Sequence, residues 1–171
     1  MYMWYNRKLI LNLLIITILI FVIEFYLPVS GLPYSGNNVY EFKLDLMLLY
    51  ITFLVFYLDK SYYVIYISFF LGLIQGFAIE TDIGFLSFLK SLFAFLLTII
   101  KKYNVIWNNY LKYLIIYLIY FFYFFINYLL QDCFVFTELF IISSFHSILL
   151  LSLFIIFNKV LFSSKIFKLN A

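Results

Sequence analysis

Between Tyr62 and Ile100 two apolar runs are joined by only three residues, Glu80-Thr81-Asp82. Each run is close to the length of a membrane span, and so short a link makes the two helices antiparallel neighbours. The segment Ser68–Lys90, SFFLGLIQGFAIETDIGFLSFLK, gives the pair its character. Ser68, Gly72, Gly76 and Glu80 recur every fourth residue, so they stack on one helical face. The second run carries a lysine, Lys90, well inside it. One helix brings a smooth seam to the pair and the other brings a charge.

The rest of the chain is built the same way. Of 171 residues, 67% are hydrophobic and 11% are charged, where a soluble domain is nearer about one quarter charged. Apolar runs use up most of the sequence, which leaves no room for a soluble catalytic domain. The aromatic residues, 24 Phe and 17 Tyr among them, fall throughout the runs, so an interfacial belt is not their whole cause. A bias towards AT-rich codons is the simplest source, given the abundant Ile, Asn and Lys.

Six spans follow, in an all-α membrane protein with one polytopic domain over residues 1–171: Leu9–Tyr26, Leu44–Leu58, Tyr62–Ile79, Ile83–Ile100, Tyr110–Leu130 and Leu139–Phe157. Pro28–Lys43 holds both prolines, two glycines and an Asn-Asn pair, and reads as the only sizeable loop. Leu44–Leu58 is short for a span and is expected to borrow a turn from Tyr40–Lys43. The opening MYMWYNRK before an apolar run has the outline of a signal peptide. It lacks a small-x-small cleavage site and is followed by more spans, so it reads as a retained first span.

Charge placement orients the bundle. With the N-terminus in the cytoplasm and six alternating spans, Arg7, Lys8, Lys60, Lys101, Lys102, Lys112, Lys159, Lys165 and Lys168 fall inside. Only Lys43 then faces out, and Lys90 lies in the membrane. The acidic residues fall the other way, Asp59 excepted. Both termini are expected in the cytoplasm.

Several polar residues remain within the spans. Lys90 lies roughly 10 Å below the outer end of its helix, at about 1.5 Å per residue. His146 lies at a similar depth, and Gln75 and Asn127 occupy the outer halves of their spans. With Glu24, Asp45 and Glu80 they define a polar layer in the outer half of the bundle. A charge at such depth faces the protein interior, finds a partner or snorkels. Glu24, Glu80 and Asp82 are the candidate acids for Lys90. The layer reads either as a cavity open to the outside or as interhelical hydrogen bonds and one ion pair that fix packing. The second reading is the simpler. Ser68, Gly72 and Gly76, with Gly84 heading the fourth span, form a seam for helix packing or for a partner, a second copy included. Ser87, Ser91, Ala94 and Thr98 make a matching stripe, and packing of the two stripes against each other is the simplest account.

The motifs of common chemistries are missing. A single Cys133 excludes an internal disulfide, and with one histidine the usual zinc constellations have no ligands. The sequence has no phosphate-binding glycine loop and no recognisable Ser/His/acid motif. The lysines are those that topology requires, so nucleic acid is not an expected partner, and no cofactor is expected.

The central hairpin resembles the MreD family of bacterial rod-shape proteins. Gly72-Leu73-Ile74-Gln75 matches the opening of the family's typical stretch, Ile83-Gly84-Phe85 its middle and Lys90 its end. Leu44-Asp45-Leu46-Met47-Leu48-Leu49-Tyr50 resembles the family's Pro-Asp-Leu-Leu-Leu segment. Gly76 stands where the family usually has Asp, and Leu44 where it usually has Pro. If that Asp partners the lysine in relatives, Glu80 is the candidate to replace it here. The resemblance implies a six-helix fold similar to the substrate-binding subunits of energy-coupling-factor vitamin transporters. It also implies a non-enzymatic scaffold of the bacterial inner membrane. MreC would be its main partner, with MreB, RodA and a penicillin-binding transpeptidase contacted indirectly. The alternative is a vitamin-uptake subunit holding a small molecule in an outward-facing pocket.

Overall fold

The computed structural model describes residues 2–26, 30–33, 39–42, 45–58, 62–79, 83–103, 108–129 and 136–161. It divides into two compact units, Met1–Tyr50 and Ile51–Ala171, with the border inside one continuous helix.

The first unit holds α1 (Tyr2–Tyr26), the strands β1 (Ser30–Pro33) and β2 (Val39–Phe42), and the first turn of α2 (Leu46–Tyr57). Helix α1 begins well before Leu9, because nothing in Tyr2–Lys8 disfavours helix. The stretch expected to be only a loop contains an antiparallel hairpin, paired from Ser30 with Phe42 to Pro33 with Val39. Val39, Tyr40 and Phe42 are good strand formers, and Pro33 sits at a strand end, where a missing N–H costs least. Four-residue strands interrupted by Gly and Pro gave the sequence pattern too little to show.

Helix α2 takes no turn from Tyr40–Lys43, contrary to expectation, since Val39–Phe42 is strand. Its start is set by Asp45, whose Oδ1 accepts the Leu48 N–H at 2.9 Å. That is an N-cap, and it satisfies one of the four N–H groups a helix leaves open at its start. Glu24, buried on α1, satisfies another: its Oε2 accepts the Met47 N–H at 2.8 Å. One turn into α2, the Tyr50 and Thr17 hydroxyls share a hydrogen bond of 2.9 Å. Thr17 and Glu24 lie seven residues apart on one face of α1, so polar contacts fix that face against the start of α2.

In the second unit every described element is helical: the remainder of α2, α3 (Tyr62–Ile79), α4 (Ile83–Lys102), α5 (Asn109–Leu129) and α6 (Phe136–Leu161). α3 and α4 pack most extensively, α5 packs on α6, and α4 also meets α5. α2 is apolar on every side and accordingly buried; Ile51, Thr52, Leu54, Val55 and Phe56 are all core. It reaches its neighbours through long side chains, with Phe53 and Phe56 at 5.2 and 5.8 Å from Phe154 of α6. The Thr52 hydroxyl meets the Tyr120 hydroxyl of α5 at 2.7 Å. Tyr120 is fully buried and stacks on Phe93 of α4 at 5.3 Å, while Phe93 also meets Tyr123 edge-on.

The outward faces are equally apolar. Phe70 and Phe77 of α3, Phe88 and Phe95 of α4, Phe122 of α5 and Ile141 and Ile148 of α6 are all exposed. Among the described residues, three helices are long and apolar enough to cross a membrane: Gly84–Lys102, Tyr110–Leu129 and Phe136–Lys159. Leu14–Tyr26, Leu46–Tyr57 and Tyr62–Ala78 are shorter apolar helices. An apolar exterior around a mixed core is the arrangement that lipid favours.

Candidate functional site

The second unit presents two features built from the residues singled out above: the α3–α4 seam and a set of buried polar groups.

The seam depends on Gly72. A Cβ built there would lie 2.5 Å from the Ser87 Cα, 2.9 Å from the Ser87 N and 3.0 Å from the Leu86 O. All three neighbours are backbone, so no side chain can swing away to make room. The small residues therefore face each other, Gly72 of α3 against Ser87 of α4, as stripe packing requires. Gly76 and Ser68 are buried on the same face of α3. Ser68 turns its hydroxyl back onto the Val64 carbonyl of its own helix, which keeps the seam smooth. Gly84 stands apart, since among the described residues nothing comes within 4 Å of a Cβ built there.

Lys90 lies one turn beyond Ser87 on the same face of α4 and is fully buried. Gln75 lies one turn beyond Gly72 on α3 and is also buried. Both polar residues thus share the seam's inward face. Glu80 and Asp82, the acids expected for Lys90, lie outside the described residues, as does the whole three-residue turn. Glu24 and Asp45 belong to the first unit, where each accepts a backbone N–H of α2. Asn127 is half-buried near the end of α5.

His146 sits at the centre of a compact aromatic cluster on α5 and α6. It is fully buried, and Phe124 stacks on it at 4.8 Å. Its Nδ1 lies 3.2 Å from the Ile142 carbonyl one turn back, and the Tyr128 hydroxyl lies 3.1 Å from Nδ1 and 3.3 Å from Nε2. With a proton on Nδ1, that nitrogen can donate to the Ile142 carbonyl while Nε2 can accept from the Tyr128 hydroxyl. The opposite tautomer would set a lone pair against the carbonyl. This is a satisfied interior histidine. Ser143 and Ser147 are buried beside it on α6; Ser147 donates to the Ser144 carbonyl at 2.8 Å. The Ser143 hydroxyl has no hydrogen-bond partner among the described residues. No three of His, Cys, Asp and Glu come together among those residues either.

No family model, no curated protein and no solved structure matches the chain.

At the other end of the unit, two lysines lie inside the protein or reach into it. Lys101, in the last turn of α4, donates from Nζ to the carbonyls of Val55, at 2.9 Å, and Leu58. It closes the C-terminus of α2 and places a positive charge at the negative end of that helix. Lys112 is buried in the first turns of α5, next to Tyr113, whose hydroxyl bonds the Asn158 side chain of α6. Read for topology alone, Lys101 and Lys112 differ in nothing from exposed Lys102 and Lys159. Tyr120 and Tyr128 also escaped sequence reasoning, because two working tyrosines are hidden among 17.

Proposed function

We propose that the chain is a non-enzymatic scaffold of the MreD type. It would cross the bacterial inner membrane six times with both termini in the cytoplasm, and bind MreC. The observation that carries this reading is the inward-facing seam: Gly72, Gln75 and Lys90, the residues that resemble the family's stretch, are all buried on the best-packed helix pair. Their placement supports a role in holding the bundle's shape. The apolar faces that remain outside suit lipid and the single span of a membrane partner.

Copurification tests this reading. Full-length tagged protein, taken from its host's membranes in mild detergent, is expected to carry an MreC-like single-span protein in near-equal amount. Recovery of a tightly held small molecule in place of that protein would instead favour the vitamin-uptake alternative.

A further inference from the structure

In the second unit the exposed tyrosines are sorted from the exposed phenylalanines. Among the described residues of that unit, six tyrosines are exposed: Tyr57, Tyr62, Tyr63, Tyr66, Tyr103 and Tyr110. Each lies in the opening turns of α3 or α5, or at the close of α2 or α4. Those termini share one end of the unit. The Lys101 bonds to Val55 and Leu58 join the close of α4 to that of α2, and α3 opens shortly after Leu58. The Tyr113–Asn158 bond joins the start of α5 to the last turns of α6. The exposed lysines among the described residues, Lys102 and Lys159, lie at this end too. Phe77 of α3, Phe88 of α4 and Phe136 and Phe140 of α6 are exposed towards the opposite end, where none of the described tyrosines or lysines is exposed.

Tyrosine and phenylalanine differ by one hydroxyl, so a sorting of the two reports on that hydroxyl. A bare ring suits hydrocarbon at any depth, whereas a phenol is favoured where hydrocarbon gives way to polar headgroups. A codon bias alone would scatter exposed tyrosines along the helices as it does the phenylalanines. Here they gather with the exposed lysines, which sets O–H and ammonium donors around the rim of an apolar wall. Tyr62 and Tyr63 stand side by side, ring centroids 4.3 Å apart, with Tyr66 one turn on, so three phenols open α3. Such donors match the phosphate oxygens of a lipid headgroup, and the lysines favour an anionic one. We propose that this end of the second unit is a collar that binds anionic phospholipid, with the tyrosine hydroxyls and the Lys102 and Lys159 ammonium groups donating to headgroup phosphates. The collar requires only that the second unit lies in a bilayer, so it and the scaffold reading can fail separately.

The experiment compares two lipids on full-length protein stripped of lipid in mild detergent. Phosphatidylglycerol and phosphatidylcholine with the same acyl chains are added in turn, and the thermal unfolding midpoint and the number of lipids retained in native mass spectra are read. Phosphatidylglycerol is expected to raise the midpoint severalfold more than phosphatidylcholine, and to be retained in greater number. The triple change Tyr62→Phe, Tyr63→Phe, Tyr66→Phe keeps the rings and removes the hydroxyls; Lys102→Gln with Lys159→Gln removes the charges. Each set should cut the phosphatidylglycerol advantage severalfold, and Lys102→Arg with Lys159→Arg should keep it. Every variant is compared with itself in the two lipids, so a general loss of stability cancels. Equal response of the unaltered protein to both lipids would overturn the collar without any variant, as would full advantage in the tyrosine and lysine sets. In cells, a benzophenone amino acid in place of Tyr66 is expected to yield chiefly lipid adducts on illumination. A protein as the main adduct would overturn the assignment to lipid.

Discussion

Gly72 and Ser87 bring α3 and α4 so close that a single methyl group on Gly72 would sit 2.5 Å from the Ser87 Cα. The contact is backbone against backbone, so relief requires the helices to move apart. Gly72→Ala should therefore destabilise the bundle by about 1–3 kcal/mol, the usual cost of overpacking. Alanine's gain in helix propensity, at most ~1 kcal/mol, offsets only part of this. Gly84→Ala meets nothing and should be neutral or slightly stabilising. Thermal unfolding of the two variants in one detergent makes the comparison.

The Tyr128–His146 pair is predicted to be coupled. Tyr128→Phe removes the hydroxyl that serves Nε2 and should cost roughly 0.6–1.7 kcal/mol, the range found for hydrogen bonds between membrane helices. His146→Leu alone removes one partner of the tyrosine hydroxyl. The double variant should lose less than the sum of the singles, and a double-mutant cycle on unfolding free energies measures the difference.

Thr52→Val keeps the shape of the side chain and removes the 2.7 Å partner of the Tyr120 hydroxyl in the middle of the core. A loss of about 1–3 kcal/mol is expected. Adding Tyr120→Phe should recover much of it, because the hydroxyl left behind is removed as well. Failure of the second change to rescue the first would show that the Thr52 hydroxyl matters through something other than its bond to Tyr120.

The N-terminus of α2 carries two carboxylates on neighbouring N–H groups, Glu24 on Met47 and Asp45 on Leu48. Asp45→Ala should cost about 1 kcal/mol, the typical worth of an N-cap. Amide exchange at Leu48 should then quicken roughly fivefold as the first turn frays. Glu24→Gln retains an acceptor and should be milder at Met47 than Glu24→Leu.

What could be read in the sequence, and what could not, follows from how local each signal is. The Gly72 seam and its partner stripe were legible because small residues four apart occupy one face whatever surrounds them. The inward direction of Lys90 and His146 was legible because a charge or an imidazole in an apolar run has few alternatives. The length of α2 was not, since an apolar run continuing past Asp45 hides a cap that only its hydrogen bond to Leu48 reveals. The double duty of Lys101 depends on a contact 46 residues away. For Tyr120 and Tyr128 no local pattern separates a bonded phenol from the many that face outward.

The central claim, that this chain is a scaffold for cell elongation, is tested most directly by depletion. Its gene is placed under a repressible promoter in its host, and cell length and width are followed as the protein is diluted. The account predicts that width grows and the cells round up before growth stops, with recovery on re-expression. Cells that remain rods of constant width after the protein is gone would contradict it.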